Sequence, residues 1–181
     1  MSDLVFITGN QNKANFLQQY FGRPVQHHKL DLDEIQSLDL KEVVSHKAKQ
    51  AYDILKQPVL VEDASLTFTA MGRLPGTFVK WFIEDLGYDG LAKLAQSLDS
   101  QEAVGNVMYA YHDGSEIHLF QGTMKGHIVA EGRGEGGFGF DRIFVNDGYD
   151  VTRGEMAEED YAKTSYRTMA MEKLKRHLEN N

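Results

Sequence analysis

The sequence predicts a single domain of α/β or α+β class. Short apolar runs at residues 4–8 and 59–61 each adjoin a stretch whose apolar residues recur at helical spacing. From residue 103 onward the texture changes to alternating, β-rich segments broken by turn residues. At 181 residues, 41% hydrophobic and 25% charged, the chain is long enough for one real core, hiding roughly two thirds of its unfolded surface. No internal repeat, low-complexity tract or linker interrupts it.

Residues 4–8 read as a strand closing on Thr8-Gly9-Asn10, after which Phe16, Leu17 and Tyr20 mark a helix over 13–20. Val43, Val44, Ala48, Ala51 and Leu55 predict a helix over 42–55, stopped by Pro58 before the strand Val59-Leu60-Val61. That strand is expected to end at Glu62-Asp63. Pro75-Gly76 is a turn ahead of two helices, about 78–86 and 90–98. Residues 104–111, 116–122 and 125–129 predict an antiparallel meander with breaks at 112–115 and 123–124. Residues 132–139 hold five glycines in eight, a flexible loop or close backbone approach leading to Phe140-Asp141-Arg142. A final helix is expected over about 158–178.

Composition narrows the function. The absence of cysteine removes disulfides, thiolate nucleophiles and thiolate metal sites, so any catalytic metal must sit on oxygen or imidazole. A net charge of −8 argues against general binding of a nucleic-acid backbone. The start of the chain lacks the basic and long apolar regions of a secretory signal, and no run approaches a membrane span, so a cytoplasmic location is expected.

Several residues could carry chemistry. Thr8-Gly9-Asn10-Gln11-Asn12-Lys13 follows a strand and opens a helix, where free N–H groups and the helix dipole favour an anion. It is not a Walker A loop, and the alternative reading is a turn with Asn10 as an ordinary cap. Glu34, Glu62 and Asp63 together could hold magnesium, which takes one or two carboxylates plus phosphate oxygens. Taken singly, each reads as a solvated acid. Lys47 and Lys80 interrupt apolar helical stretches and read by default as snorkelling side chains. The seven histidines show no ligand spacing, and Phe78, Trp81 and Phe82 read as core.

Seven segments in order resemble the inosine triphosphate pyrophosphatase-like (Ham1-like) family. They are Phe6-Ile7-Thr8-Gly9-Asn10 with Lys13, Glu34-Ile35-Gln36, Leu60-Val61-Glu62-Asp63, Leu74-Pro75-Gly76 with Lys80-Trp81-Phe82, Gly137-Phe138-Gly139-Phe140-Asp141, Gly154-Glu155-Met156, and Ser165-Tyr166-Arg167. The similarity covers nearly the whole chain, making residues 1–181 one domain. It implies a two-lobed α/β fold around a long, curved, mixed sheet flanked by helices, with the nucleotide in a cleft between the lobes and a homodimer as the assembly.

The resemblance further implies hydrolysis of noncanonical purine nucleoside triphosphates (ITP, dITP, XTP) to the monophosphate and pyrophosphate. Carried over by residue, Thr8, Asn10 and Lys13 would hold the triphosphate, and Glu34 and Asp63 would hold magnesium, with manganese as a substitute. Lys47 would neutralise developing charge, and Asp63 with Glu62 beside it would orient or deprotonate water. Phe138 would stack on the purine next to Gly139, with Asp141 at the base edge. Lys80 would approach the sugar and phosphates or the base. Tyr161 and Tyr166 take base-side positions, and Arg167 would bond the 6-oxo group. The partner is thus a small nucleotide rather than a nucleic acid or membrane.

The chain departs from the family pattern where Ser-His-Arg becomes Ser165-Tyr166-Arg167, Asp-Pro becomes Asp141-Arg142, Lys-Asn becomes Tyr161-Ala162, and Phe16 stands where an acid is common. Two rival expectations follow: a related pyrophosphatase with altered base choice, and a nucleotide-binding module that has lost catalysis.

Overall fold

The computed structural model describes residues 4–180. In chain order it forms β1 (Val5–Ile7), α1 (Gln11–Phe21), β2 (Gln26–His28), α2 (Leu40–Leu55), β3 (Val59–Phe68), β4 (Pro75–Gly76) and α3 (Val79–Gln96). Then follow β5 (Glu102–His112), β6 (Ile117–Ile128), β7 (Phe144–Asn146), α4 (Glu158–Lys163) and α5 (Tyr166–Asn180). The strands make a seven-stranded sheet in the order β2-β1-β3-β5-β6-β7, with β4 paired to β3. β1 runs parallel to β2 and β3, whereas β4 is antiparallel to β3 and β7 to β6, so the sheet is mixed and the fold is α/β. Among the described residues, no helix is long and apolar enough to cross a membrane.

The chain divides into two compact units, one of Met1–Asp63, Val107–Gly122 and Arg167–Asn181, the other of Ala64–Asn106 and Thr123–Tyr166. In the first, Val5 and Ile7, Val59 and Val61, and Met108 and Ala110 form one side of a core. Each pair is two residues apart, so its members share a face of their strand. Leu40, Val44, Ala48 and Ala51 of α2, near the 3.6-residue period, complete that core. Each fully buried Val, Leu, Ile or Met side chain contributes about 1.5–3 kcal/mol. Asp39 caps α2 by accepting from Lys41 N, and Asn10 caps α1 by accepting from Asn12 N and Lys13 N.

The second unit buries Leu66 and Phe68 of β3, Leu91, Ala92 and Ala95 of α3, and Phe140, Ile143, Phe144 and Val145 around β7. Within α3, Gly87 adopts φ 68° and ψ 175°, which breaks the helix into the two pieces that the sequence predicts.

Several expectations change: Pro75-Gly76, read as a turn, pairs with β3 as β4, and Trp81, read as core, is exposed. β3 does not stop at Glu62-Asp63 but runs to Phe68, because Ala64-Ser65-Leu66-Thr67-Phe68 carries no turn residue and pairs onward with β4. The two carboxylates therefore sit mid-strand. Thr123-Met124 is not a break: β6 passes straight through, with Gly122, Met124, Gly126 and Ile128 inward and Gln121, Thr123, Lys125 and His127 outward. The final helix is two, α4 and α5, since the Thr164 hydroxyl bonds the Asp160 carbonyl and Ser165 N turns back to Ala162 O. β2, with three exposed polar residues, has no apolar pattern to announce it and exists by pairing with β1.

Candidate active site

Strand alternation divides the Glu62-Asp63 pair. Asp63 follows Val59 and Val61 onto the face covered by α2, and Glu62 follows Leu60 onto the opposite face. On the α2 face, Lys47 Nζ donates to Asp63 Oδ2 at 2.7 Å and to Glu34 Oε1 at 3.1 Å. Lys47 lies three and four residues beyond Val44 and Val43, inside the apolar stripe, and only 15% of its side chain is exposed. It is thus an ion-paired group rather than a snorkelling one. Burial alone would favour its neutral form, but the charges and hydrogen bonds of Asp63 and Glu34 outweigh that and raise its pKa above the ordinary lysine value.

On the other face, Glu62 is buried, and neither of its oxygens accepts a hydrogen bond from the described residues. Two cations form ion pairs with it but no hydrogen bond: Lys13 Nζ at 3.4 Å and Arg167 Nη2 at 3.7 Å, both from Oε1. α1 delivers Lys13 in its first turn, directly after β1, which neighbours β3. The Thr8 hydroxyl accepts from Asn10 N at 3.0 Å, and Asn10 Oδ1 accepts from Asn12 N and Lys13 N. Thr8, Asn10, Lys13, Glu34, Lys47, Glu62, Asp63 and Arg167 all belong to the first unit.

Among the described residues no three His, Asp or Glu side chains converge as a ready metal cage. The donor chemistry still fits a hard divalent cation: carboxylate oxygens on Glu34 and Asp63 are gathered around a single ammonium. Magnesium held by one or two carboxylates takes its remaining ligands from water and phosphate.

The second unit holds Lys80, Phe138, Gly139, Asp141, Tyr161 and Tyr166. Asp141 is fully buried, and its carboxylate is well supplied with donors. Oδ2 accepts from Phe138 N at 2.9 Å and Tyr161 OH at 2.8 Å, and Oδ1 accepts from Arg153 Nε at 2.9 Å. Gly137 adopts φ 68°, and a Cβ there would collide with the Asp141 carboxylate, so glycine is required for the loop to come this close. Gly139, by contrast, is exposed with open space around it. Burial first, then the Asp141 charge, push the Tyr161 hydroxyl up to about 12, keeping it a proton donor. Tyr166 is buried with its ring 6.4 Å from that of Phe140. Lys80 is exposed, lies over the Trp81 ring and stands 4.0 Å from Glu84.

Sequence reasoning missed Arg153, whose side chain is wholly buried. A signal was present only indirectly. A carboxylate set among Phe138, Phe140, Ile143 and Phe144 demands a cation, but Arg133, Arg142 and Arg153 all stand nearby in sequence.

Comparison with known proteins bears on what this arrangement does. A model of the Ham1 family matches residues 4–177. An inosine triphosphate pyrophosphatase of Schizosaccharomyces pombe is 39% identical over 99% of this chain and 97% of its own length. Inosine triphosphate pyrophosphatase 2 of Trypanosoma cruzi is 42% identical over 97% and 91%. Among solved structures, the Ham1 protein of Staphylococcus aureus superposes with a TM-score of 0.75 at 26% identity over 98% of both chains. A HAM1 protein from Coxiella burnetii superposes with a TM-score of 0.85 over the full length of both, at an identity of 22% that speaks for the fold alone.

Proposed function

Because the chain belongs to the Ham1 family, we propose that it is a nucleoside triphosphate pyrophosphatase that cuts ITP, dITP and XTP to the monophosphate and pyrophosphate, clearing noncanonical purines from the nucleotide pool. The observation that carries this reading is Lys47 held charged between Glu34 and Asp63. A partly buried ammonium and two carboxylates are what displacement at a phosphate needs, since the work is positioning and charge compensation.

In the reaction, water attacks the α-phosphorus and pyrophosphate leaves with the bridging oxygen. Glu34 and Asp63 would hold magnesium, or manganese in its place, which when bound supplies positive charge at the phosphate oxygens. Asp63 orients the water and takes its proton, and Lys47 offsets the negative charge that grows on the phosphoryl oxygens. Thr8, Asn10 and Lys13 hold the triphosphate at the α1 N-terminus, where the helix dipole and the Lys13 ammonium favour an anion. Glu62, on the other face of β3, keeps Lys13 and Arg167 in place.

Base recognition is assigned to Phe138 as the stacking ring beside Gly139, with Asp141, Tyr161, Tyr166 and Arg167 around the base and Lys80 towards the sugar and phosphates. A donor aimed at O6 rejects adenine, whose amino group would leave that donor unpaired at a cost of about 1–3 kcal/mol. The burial of Tyr166 favours a second reading, the same hydrolysis with altered base choice. The protein is assigned to the cytoplasm as a homodimer, which its mass by light scattering would check.

The experiment is pyrophosphate release from ITP, XTP, dITP, GTP and ATP with excess magnesium, beside an Asp63→Asn control. Fast turnover of ITP and XTP that vanishes in the control is expected. Turnover confined to other nucleotides would overturn the substrate, and tight ITP binding without release would leave a binding module.

A further inference from the structure

We propose that Arg153 is a positioning residue for base selection, acting through Asp141 on Phe138 and Tyr161 rather than by touching the nucleotide. The inference rests on the base-side assignment above. Its evidence is the way one guanidinium ties together the segments that carry Asp141, Asn146 and Thr164 and lies against the rings of Tyr161 and Tyr166. Nε donates to Asp141 Oδ1 at 2.9 Å, and Nη1 donates to Asn146 Oδ1 at 2.9 Å and to Thr164 Oγ1 at 3.0 Å. Its planar face lies 4.2 Å from the centre of the Tyr161 ring and 5.9 Å from that of Tyr166. Asp141 passes the constraint on, because its other oxygen fixes the Phe138 amide and the Tyr161 hydroxyl.

The arrangement is poorly explained as a device for stability. A buried ion pair is often matched by apolar residues of similar volume. Arg153 also leaves Nη2 buried without a hydrogen bond among the described residues, which stability alone would select against. What apolar residues could not supply is direction. With Arg153 in place, Asp141 presents Oδ2 at a fixed angle, the glycine loop carries Phe138 at a fixed height, and Tyr161 is held by its hydroxyl and its ring at once. The Tyr161 pKa of about 12 keeps that hydroxyl a donor across the working range of pH. The fork is what matters, since a lysine would keep the charge but could not span Asp141, Asn146 and Thr164 together.

The test is steady-state kinetics of Arg153→Lys, Tyr161→Phe and the double variant, on ITP and on GTP, with folding followed by circular dichroism. Arg153→Lys is expected to raise KM for ITP on the order of tenfold, to leave kcat nearly unchanged and to narrow the preference for ITP over GTP. The double variant is expected to be no worse than Arg153→Lys alone, because both substitutions act through one carboxylate. An unchanged KM in folded Arg153→Lys, an equal loss on all nucleotides, or multiplying effects in the double variant would overturn the proposal. Should Arg153→Lys not fold, Thr164→Val removes one acceptor of the fork and no proposed base contact, and its KM decides by the same criterion. If the wild-type protein does not hydrolyse ITP, the reading of substrate fails separately, and the same comparison runs on the nucleotide it turns over fastest.

Discussion

The two units treat their buried charges in opposite ways. In the first, Lys47 spans Glu34 and Asp63, whose side chains are 49% and 22% exposed, and Glu62 is buried with no hydrogen bond to either oxygen among the described residues. In the second, Arg153 and Asp141 are both fully buried, and three donors converge on the Asp141 carboxylate. A carboxylate that must accept a metal or balance phosphate-binding cations needs lone pairs and access that are not consumed by the fold. One that must hold a loop and a helix in register needs the reverse. The contrast is between the partly exposed carboxylates beside Lys47 in the first unit and a carboxylate closed in by three donors in the second.

The contrast breaks if substitutions in the second unit spare stability. Asp141→Ala leaves Arg153 buried without its counter-charge and should lower unfolding free energy by about 3–5 kcal/mol, read from urea denaturation. Asp63→Asn should do the converse. Turnover is expected to fall by roughly 10²–10³ while the denaturation midpoint scarcely moves, because Lys47 retains Glu34. Equal losses of stability in the two variants would show that both clusters are structural.

Glu62→Gln sharpens the comparison. The carboxylate gives up no hydrogen bond but takes its counter-charge from the buried Arg167, so stability should fall by about 1–3 kcal/mol, while loosened Lys13 and Arg167 should raise KM for the triphosphate by roughly tenfold. A fall in kcat at constant KM would instead put Glu62 in the chemical step.

The smallest effect lies outside both clusters, at the β5–β6 turn of the first unit. Asp113 accepts from Ser115 N, the Ser115 hydroxyl and Glu116 N, and pairs with His118 at 2.7 Å. The Glu116 amide first, then His118, hold its carboxyl well below the usual range. A depressed carboxylate stabilises the fold above its unfolded pKa of about 4, and that contribution is lost as pH falls through the lower folded value. Asp113→Asn should therefore cost about 1 kcal/mol at neutral pH, reduced by solvent screening, and less in acid. A cost that grows on acidification would reverse the assignment.

Much of the fold was legible in local pattern. β1, α1, α2 and the two pieces of α3 follow from apolar period and from Pro58, because amphipathic spacing and backbone restriction act within a few residues. The continuation of β3 past Asp63 and of β6 through Thr123-Met124 was not, since strand length is set by what lies alongside. β2 is the extreme case, three polar residues made into a strand by β1.

By itself the sequence determined the α/β class, the family, and a set of polar residues suited to triphosphate chemistry, because each is written in residue identity and spacing along the chain. Tertiary structure decided which residues meet. It sent Glu62 and Asp63 to opposite faces of one strand, gave Lys47 two partners 13 and 16 residues away, and chose Arg153 over Arg133 and Arg142 as the Asp141 counter-charge. The physical reason is that an ion pair depends on distance and desolvation in three dimensions, and neither is encoded in the interval between two residues along the chain.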